Sequence, residues 1–300
     1  MNPGTADPDV KDLTARLEAA SDGRKARRRV RCRRGAQSLN FAGEWAGGAR
    51  FALKLVPFAR AKQYARLVDH LEKTAPGPVV RESAPRIRFD LGGFHALVLD
   101  WCEGDTLGFE ALDDVEGLVA GYGDFSKTVQ DVGELYPTYD YATMHDEVMA
   151  TALAAALPRE AWDADYAALA EGMRVIHGDL QPDNLRFVGG RLASVLDIEE
   201  FRRGHPAEDF ARYVCNSADR LPWFAFVRRR RIVRSVARLV AAAGFAASVW
   251  EAAVFGQLLE KARKNVRKGR VSAVRLVNLK WRGRFYARLA RAANVKGSDQ

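Results

Sequence analysis

Residues 177–199 constrain the fold of this chain more than any other segment. They read His177-Gly178-Asp179-Leu180-Gln181-Pro182-Asp183-Asn184, then Leu185-Arg186-Phe187-Val188, Gly189-Gly190, Leu192 to Leu196, and Asp197-Ile198-Glu199. The apolar stretches on either side of Gly189-Gly190 predict a short hairpin, because paired glycines supply the positive φ that a tight turn needs. A hairpin of this length turns the chain back, so that Asp179 and Asn184 on one loop converge with Asp197 at a strand end. Two carboxylates and an amide meeting in this way suit chemistry in which a metal ion neutralises triphosphate charge. A single Asp is most often a surface or capping residue. It is the set, at these spacings, that carries the reading.

Asp179 stands five residues before Asn184, the spacing of the kinase catalytic loop, with a second metal-binding Asp arriving after a hairpin. His177-Gly178-Asp179 in place of His-Arg-Asp, and Leu196-Asp197-Ile198-Glu199 in place of Asp-Phe-Gly, resemble the aminoglycoside phosphotransferase and choline kinase family of the protein-kinase-like superfamily. Gly204-His205-Pro206-Ala207-Glu208-Asp209-Phe210-Ala211 resembles that family's G-x-P-x-x-D-hydrophobic-Ala segment. The resemblance implies that Asp179 accepts the proton of the acceptor hydroxyl and that Asn184 and Asp197 hold Mg²⁺. It also implies that Asp209 braces the loop from a following helix and that His177 orients the loop. Glu199 either supports a metal-bound water or makes a structural hydrogen bond.

An upstream ATP-binding lobe is then required. Phe51-Ala52-Leu53-Lys54 has the x-Ala-x-Lys form of the kinase strand whose Lys contacts the α- and β-phosphates. Alternation sends Phe51, Leu53 and Leu55 to one face and Ala52, Lys54 and Val56 to the other. Ala52 would roof the adenine. Tyr64, Leu67, Val68 and Leu71 follow at helical spacing, and Glu72 is the expected partner of Lys54, with Asp69 as competitor. The phosphate turn is the departure from the protein-kinase pattern. G-x-G-x-x-G is missing, and Arg34-Gly35-Ala36-Gln37-Ser38-Leu39-Asn40 is similar instead to the shorter G-x-x-S-x-N turn of aminoglycoside-phosphotransferase-like proteins. Gly35 and Ser38 would cradle phosphate there, although an ordinary hairpin reads equally well. Gly47-Gly48 is the next hairpin turn. The apolar strand His95 to Leu99 runs into Asp100-Trp101-Cys102-Glu103-Gly104, which resembles the hinge between kinase lobes, with backbone groups around Asp100 and Cys102 facing adenine.

Three hundred residues with 48% hydrophobic content suffice for two lobes. No apolar run reaches the roughly 18 residues of a membrane span. The first residues lack a basic-then-apolar leader, and the three cysteines, Cys32, Cys102 and Cys215, are widely spaced. Cytoplasmic residence without disulfides is therefore expected, with peripheral association at the inner membrane face as an extension of it. Charge is uneven. From Asp105 to Arg174 there are fifteen acidic and three basic residues, and from Leu221 to Lys296 nineteen basic and two acidic. Such runs usually form solvated faces; alternatively they attract phosphate-rich or membrane-surface partners. Tyr136, Tyr139, Tyr141 and Trp162 read as packing residues more readily than as platforms for a sugar.

The expected fold is α+β, the two-lobe protein-kinase-like architecture. Residues 1–22 form an appendage with one amphipathic helix, 23–99 a small antiparallel-sheet lobe, 100–104 the hinge, and 105–300 a mainly helical lobe. Late helices are predicted at about 223–243, 246–268 and 271–293. The expected function is ATP- and Mg²⁺-dependent phosphorylation of a hydroxyl on a small molecule or glycan. A sugar or glycoconjugate is favoured, and an aminoglycoside or choline-like amino alcohol is the alternative. Only eleven residues separate Asp197 from Asp209, too few for a protein kinase's activation loop. A non-catalytic binding module with a basic surface is the reading of another class. No helix-turn-helix, RNA-recognition or zinc signature accompanies the charge, so specific nucleic-acid binding is not expected.

Overall fold

The computed structural model describes residues 10–21, 25–34, 39–58, 87–91, 94–130, 138–197, 200–222, 224–270 and 272–294. The chain divides into two compact units: Met1–Glu103 with Asp131–Glu134 and Ser194–Glu199, and Gly104–Gln130 with Leu135–Ala193 and Glu200–Gln300.

The first unit holds helix α1 (Val10–Ala20) and strands β1 (Ala26–Arg34), β2 (Leu39–Trp45), β3 (Arg50–Pro57), β4 (Ile87–Leu91) and β5 (Phe94–Asp100). The strands form one sheet in the order β1-β2-β3-β5-β4, every neighbouring pair antiparallel. The Gly47-Gly48 turn closes β2 onto β3, with Gly48 N–H donating to the Trp45 carbonyl at 2.9 Å. Alternation along β3 puts Phe51, Leu53 and Leu55 in an apolar core with Phe94, Ala96 and Val98 of β5.

Leu13 and Leu17 of α1 complete that same core at 1% and 0% exposure, so α1 is not the appendage its position suggested. Two leucines one turn apart make a narrow apolar stripe. The core face of the sheet supplies the surface that buries it, and each buried Leu is worth roughly 1.5–3 kcal/mol. The helix is also tied down by polar contacts. Arg16 donates to the Asp90 carbonyl at 3.1 Å, and Glu18 accepts from Ala26 N–H at 3.3 Å.

The second unit contains α2 (Val115–Thr128), α3 (Tyr141–Met149), the one-turn α4 (Glu160–Asp163), β6 (Arg174–Ile176) and β7 (Leu185–Val188). β8 (Arg191–Val195), whose last two residues count with the first unit, pairs with β7, and β9 (Arg202–Gly204) pairs with β6. Four helices follow: α5 (Pro206–Arg220), α6 (Phe226–Ala243), α7 (Ala247–Arg267) and α8 (Ala273–Arg291). The last three fall close to their predicted bounds. Gly244, in the left-handed region at φ 68°, ends α6 as a helix C-terminus requires. Tyr141 is buried and stacks on Tyr166 at 5.2 Å between ring centroids, which is the packing role expected of it. Among the described residues no helix is long and apolar enough to cross a membrane.

The two charge runs of the sequence meet in part inside this unit. Acids of the 105–174 segment pair with bases of the late helices. Asp113 meets Arg231, Glu116 meets Arg238 at 2.7 Å, Glu147 meets Arg263 at 2.6 Å and Arg267 at 3.0 Å, and Glu160 meets Arg291 at 2.9 Å. Hydrogen bonds from Arg263 and then Arg267 hold the Glu147 carboxyl down at about 2. Most of these pairs are exposed and screened by water, so each adds little to stability. They give five arginines of the late helices an acidic partner.

Helix α5 is buried on nearly every side, and its start is fixed by a capping box. The Glu208 carboxylate accepts from His205 N–H at 2.8 Å, the His205 Nδ1 accepts from Ala207 N–H at 3.1 Å, and Pro206 takes the first turn. Burial, then the nearby Arg174, lowers the His205 pKa, which keeps the accepting imidazole neutral. A folded pKa below the unfolded value of roughly 6.5 gives stability that is complete above that value and is lost as pH falls through it. Between pH 7 and 5 the melting temperature should therefore drop more for the native chain than for His205→Asn, which keeps an acceptor but does not titrate. The difference should correspond to a cap worth about 1 kcal/mol. Parallel pH curves for the two proteins would remove His205 as the titrating group.

Candidate active site

In the second unit the loop 177–184 is held from below by one carboxylate. Asp209, fully buried, accepts from the backbone N–H of His177 at 2.7 Å and of Gly178 at 2.9 Å, and from the Tyr122 hydroxyl at 2.7 Å. Three donors satisfy a charge that would otherwise be costly to bury. Burial, and then Asp209 itself, raises the Tyr122 phenol well above its usual range, so it stays a donor. Gly178 sits at φ 81°, and a Cβ built there would lie 2.1 Å from the Glu200 carbonyl oxygen. The Gly of His-Gly-Asp is thus demanded both by backbone conformation and by close approach. Arg202 fills the adjoining space and donates to the Gly178 carbonyl at 2.8 Å.

This clamp presents Asp179. Its Oδ2 accepts from Gln181 at 3.0 Å and its Oδ1 from Arg212 at 3.3 Å, while its N–H donates to the His177 ring at 3.1 Å. His177 is fully buried. The Asn184 amide donates to the Asp179 carbonyl at 2.9 Å, which leaves its side-chain oxygen as the end available to a cation.

Arg212 anchors a buried ionic network that the sequence reading missed. It binds Glu260 of α7 and donates to the Tyr139 hydroxyl at 2.8 Å, and Arg202 stacks on the Tyr139 ring at 3.7 Å. Burial works to raise the Glu260 carboxyl, but Arg212, then Lys264 and Arg202, outweigh it and hold it below the carboxylate range. Burial pushes the Tyr139 phenol up to about 12. Two signals pointed to this network. Arg212 follows Asp209 by one helical turn, and Glu260 is one of only two acids in the basic 221–296 stretch.

In the first unit, Lys54 of β3 is 4% exposed and its ammonium donates to Asp197 at 2.8 Å. Asp197 itself has φ 63°, an uncommon conformation for a residue other than glycine and one that concentrates at functional sites. Ala52 lies two residues before Lys54 and is half-buried. β5 ends at Asp100, and beyond it Arg50 stacks on the Trp101 ring at 3.8 Å, with Cys102 half-buried. Gly35, Ser38, Glu72, its competitor Asp69, and Glu199 lie outside the described residues.

The fold has counterparts among solved structures. The aminoglycoside phosphotransferase APH(4)-Ia, in a ternary complex with AMP-PNP and hygromycin B, superposes with a TM-score of 0.59 at 16% identity, covering 95% of this chain and 100% of that one. The GDP complex of aminoglycoside 2′-phosphotransferase-IIIa gives 0.63 at 13% identity over 97% and 100%. ADP-bound APH(2″)-Ib gives 0.58 at 12% over 95% and 99%. At these identities the likeness establishes the protein-kinase-like fold alone. No curated protein matches the sequence. The family model described as the phosphotransferase enzyme family matches residues 29–262, most of the chain, and the chain belongs to that family.

Proposed function

We propose that this phosphotransferase moves the γ-phosphoryl group of ATP, with Mg²⁺, to a hydroxyl of a polyhydroxylated small molecule, a sugar or glycoconjugate. The observation that carries the reading is the clamped loop. Asp209 fixes the backbone beneath Asp179, and Arg212 and Gln181 fix its carboxylate, which is the positioning a general base needs. Asp179 takes the proton of the acceptor hydroxyl. Lys54 holds the α- and β-phosphates, Ala52 covers the adenine, and backbone groups around Asp100 and Cys102 receive its edge. Glu72, Gly35 and Ser38 complete the nucleotide site, and Glu199 supports the metal shell.

Asn184 and Asp197 are the proposed Mg²⁺ ligands. An amide oxygen and a carboxylate are hard donors that suit this ion. Bound Mg²⁺ would neutralise charge on the phosphate oxygens.

The second acceptor reading, an aminoglycoside or choline-like amino alcohol, is favoured by the fold neighbours, one of which is seen with hygromycin B. Four acids of the acidic segment pair with the late helices, which weakens the argument from the charge runs for either class. A screen of sugars, glycoconjugates, aminoglycosides and choline with γ-labelled ATP separates the readings. Labelled sugar supports the proposal; label on amino acceptors alone transfers the assignment to the second reading. ATP hydrolysis without transfer to any alcohol would overturn both.

Lys54→Ala should lower kcat/KM for ATP by roughly 10–100-fold, the worth of a charge-assisted contact. The fold should survive, since Asp197, its side chain 43% exposed, can turn to water once unpaired. Unchanged ATP use would remove Lys54 from the nucleotide site. Asp197→Asn should abolish the increment that Mg²⁺ adds to the ATP-induced rise in melting temperature, and transfer with it. An increment of native size would mean that Asp197 is not a ligand.

A further inference from the structure

Helices α6 and α8 enclose a groove of about 530 Å³, within the usual size of a small-ligand site. Five arginines line it: Arg229, Arg230 and Arg234 from α6, Arg284 and Arg288 from α8. Its apolar wall is built by Val233, Trp281 and Phe285, and no carboxylate is among its lining residues. The pairs Arg230/Arg234 and Arg284/Arg288 are each one turn apart, so each helix presents two guanidinium groups to the same space.

These arginines contrast with their neighbours. Arg231 and Arg238 of α6 leave the groove to pair with Asp113 and Glu116, and Arg282 of α8 pairs with Asp219 at 3.3 Å. Among the described residues, none of the five groove arginines has a carboxylate within ion-pair distance. Arg229 is the most constrained. It is 6% exposed, donates to the Leu221 carbonyl at 2.8 Å, and lies 4.3 Å from the Trp281 ring centre. Its Nε and Nη1 have no hydrogen-bond partner. Burial lowers its pKa against the weaker upward pull of Asp219, the mark of a desolvated cation short of a counter-charge.

We propose that this groove binds a phosphomonoester or pyrophosphate group carried on an apolar body. Five unpaired guanidinium groups repel one another, and a multiply charged anion relieves that repulsion better than a single carboxylate. The guanidinium fork matches phosphate oxygens, and the wall of Trp281, Phe285 and Val233 suits the carbon skeleton attached to them. The ligand is either a soluble phosphate ester or a phospholipid headgroup. The groove is formed by α6 and α8 alone, whereas the loop carrying Asp179 is braced from α5 and α7.

The test is calorimetric titration with inorganic pyrophosphate, AMP-PNP and Mg²⁺ being present to occupy the nucleotide site. It is paired with co-sedimentation on phosphatidylcholine vesicles containing either phosphatidic acid or, at matched charge, phosphatidylserine. Two double variants of α6 remove equal charge: Arg230→Ala with Arg234→Ala in the groove, and Arg231→Ala with Arg238→Ala outside it. All four side chains are exposed, so both variants should fold. Pyrophosphate binding weakened about tenfold or more only by the groove pair supports a soluble phosphate ligand. Binding confined to phosphatidic acid vesicles, with the same selectivity, supports a lipid headgroup. The proposal is overturned if neither probe binds, if both doubles lose binding equally, or if phosphatidylserine vesicles bind as well as phosphatidic acid.

Discussion

Asp179→Asn should leave ATP binding near its native strength while turnover falls by a factor on the order of 10²–10⁴, the range of general-base contributions. The substitution keeps the shape of the side chain and changes little else around it. Arg212 can still donate to the amide oxygen, half-buried Gln181 can turn its own amide oxygen toward the new NH₂, and the braces on the loop backbone, from Asp209 and Arg202, do not involve the side chain. A fall in kcat without a matching rise in KM for ATP therefore isolates proton acceptance from nucleotide binding. Arg212→Lys gives the complementary measurement. It keeps a cation but not the fork that spans Asp179, Tyr139 and Glu260, so kcat should fall through lost orientation and the pH profile should shift. Native turnover in the Asn variant would mean that another group activates the acceptor.

The parts of this site legible in the sequence are those whose spacing is local. Asp179 and Asn184 share one loop, Gly189-Gly190 turn one hairpin, and the Asp209 segment starts one helix; each can be placed without knowing what lies across from it. The late helices were legible for the same reason, because the 3.6-residue period of apolar positions is a property of the segment itself.

What the sequence did not disclose depends on partners far along the chain. Leu13 and Leu17 are too few to declare a docking helix until a sheet whose buried face begins at Phe51, 34 residues beyond Leu17, receives them. The pairing between the two charge runs could not be read from the sequence, because opposite charges more than a hundred residues apart carry no mark that they meet. Glu260 was visible only as an exception to its surroundings. An acid kept in a stretch of nineteen bases is a residue whose burial has to be compensated, and Arg212 compensates it.

Asp209→Asn should be the most damaging conservative substitution in the second unit, by an argument from hydrogen-bond direction. The carboxylate offers only acceptors, and all three of its partners are donors: His177 N–H, Gly178 N–H and the Tyr122 hydroxyl. An amide can turn its oxygen to the His177 and Tyr122 side, but its NH₂ then faces the Gly178 N–H, donor against donor. The unsatisfied buried amide costs about 1–3 kcal/mol, and loss of charge assistance weakens the remaining bonds. At roughly 2–4 °C per kcal/mol for a domain of this size, the melting temperature should fall by several degrees. Turnover should fall by more than stability alone explains, since Gly178 is the residue next to Asp179 and a displacement near 1 Å is worth about 10²-fold. Tyr122→Phe removes one donor and leaves the charged acceptor serving both backbone amides, so its losses should be much smaller. Equal effects of the two variants would show that the carboxylate serves the helix and not the loop, and a native melting curve for Asp209→Asn would sink the brace altogether.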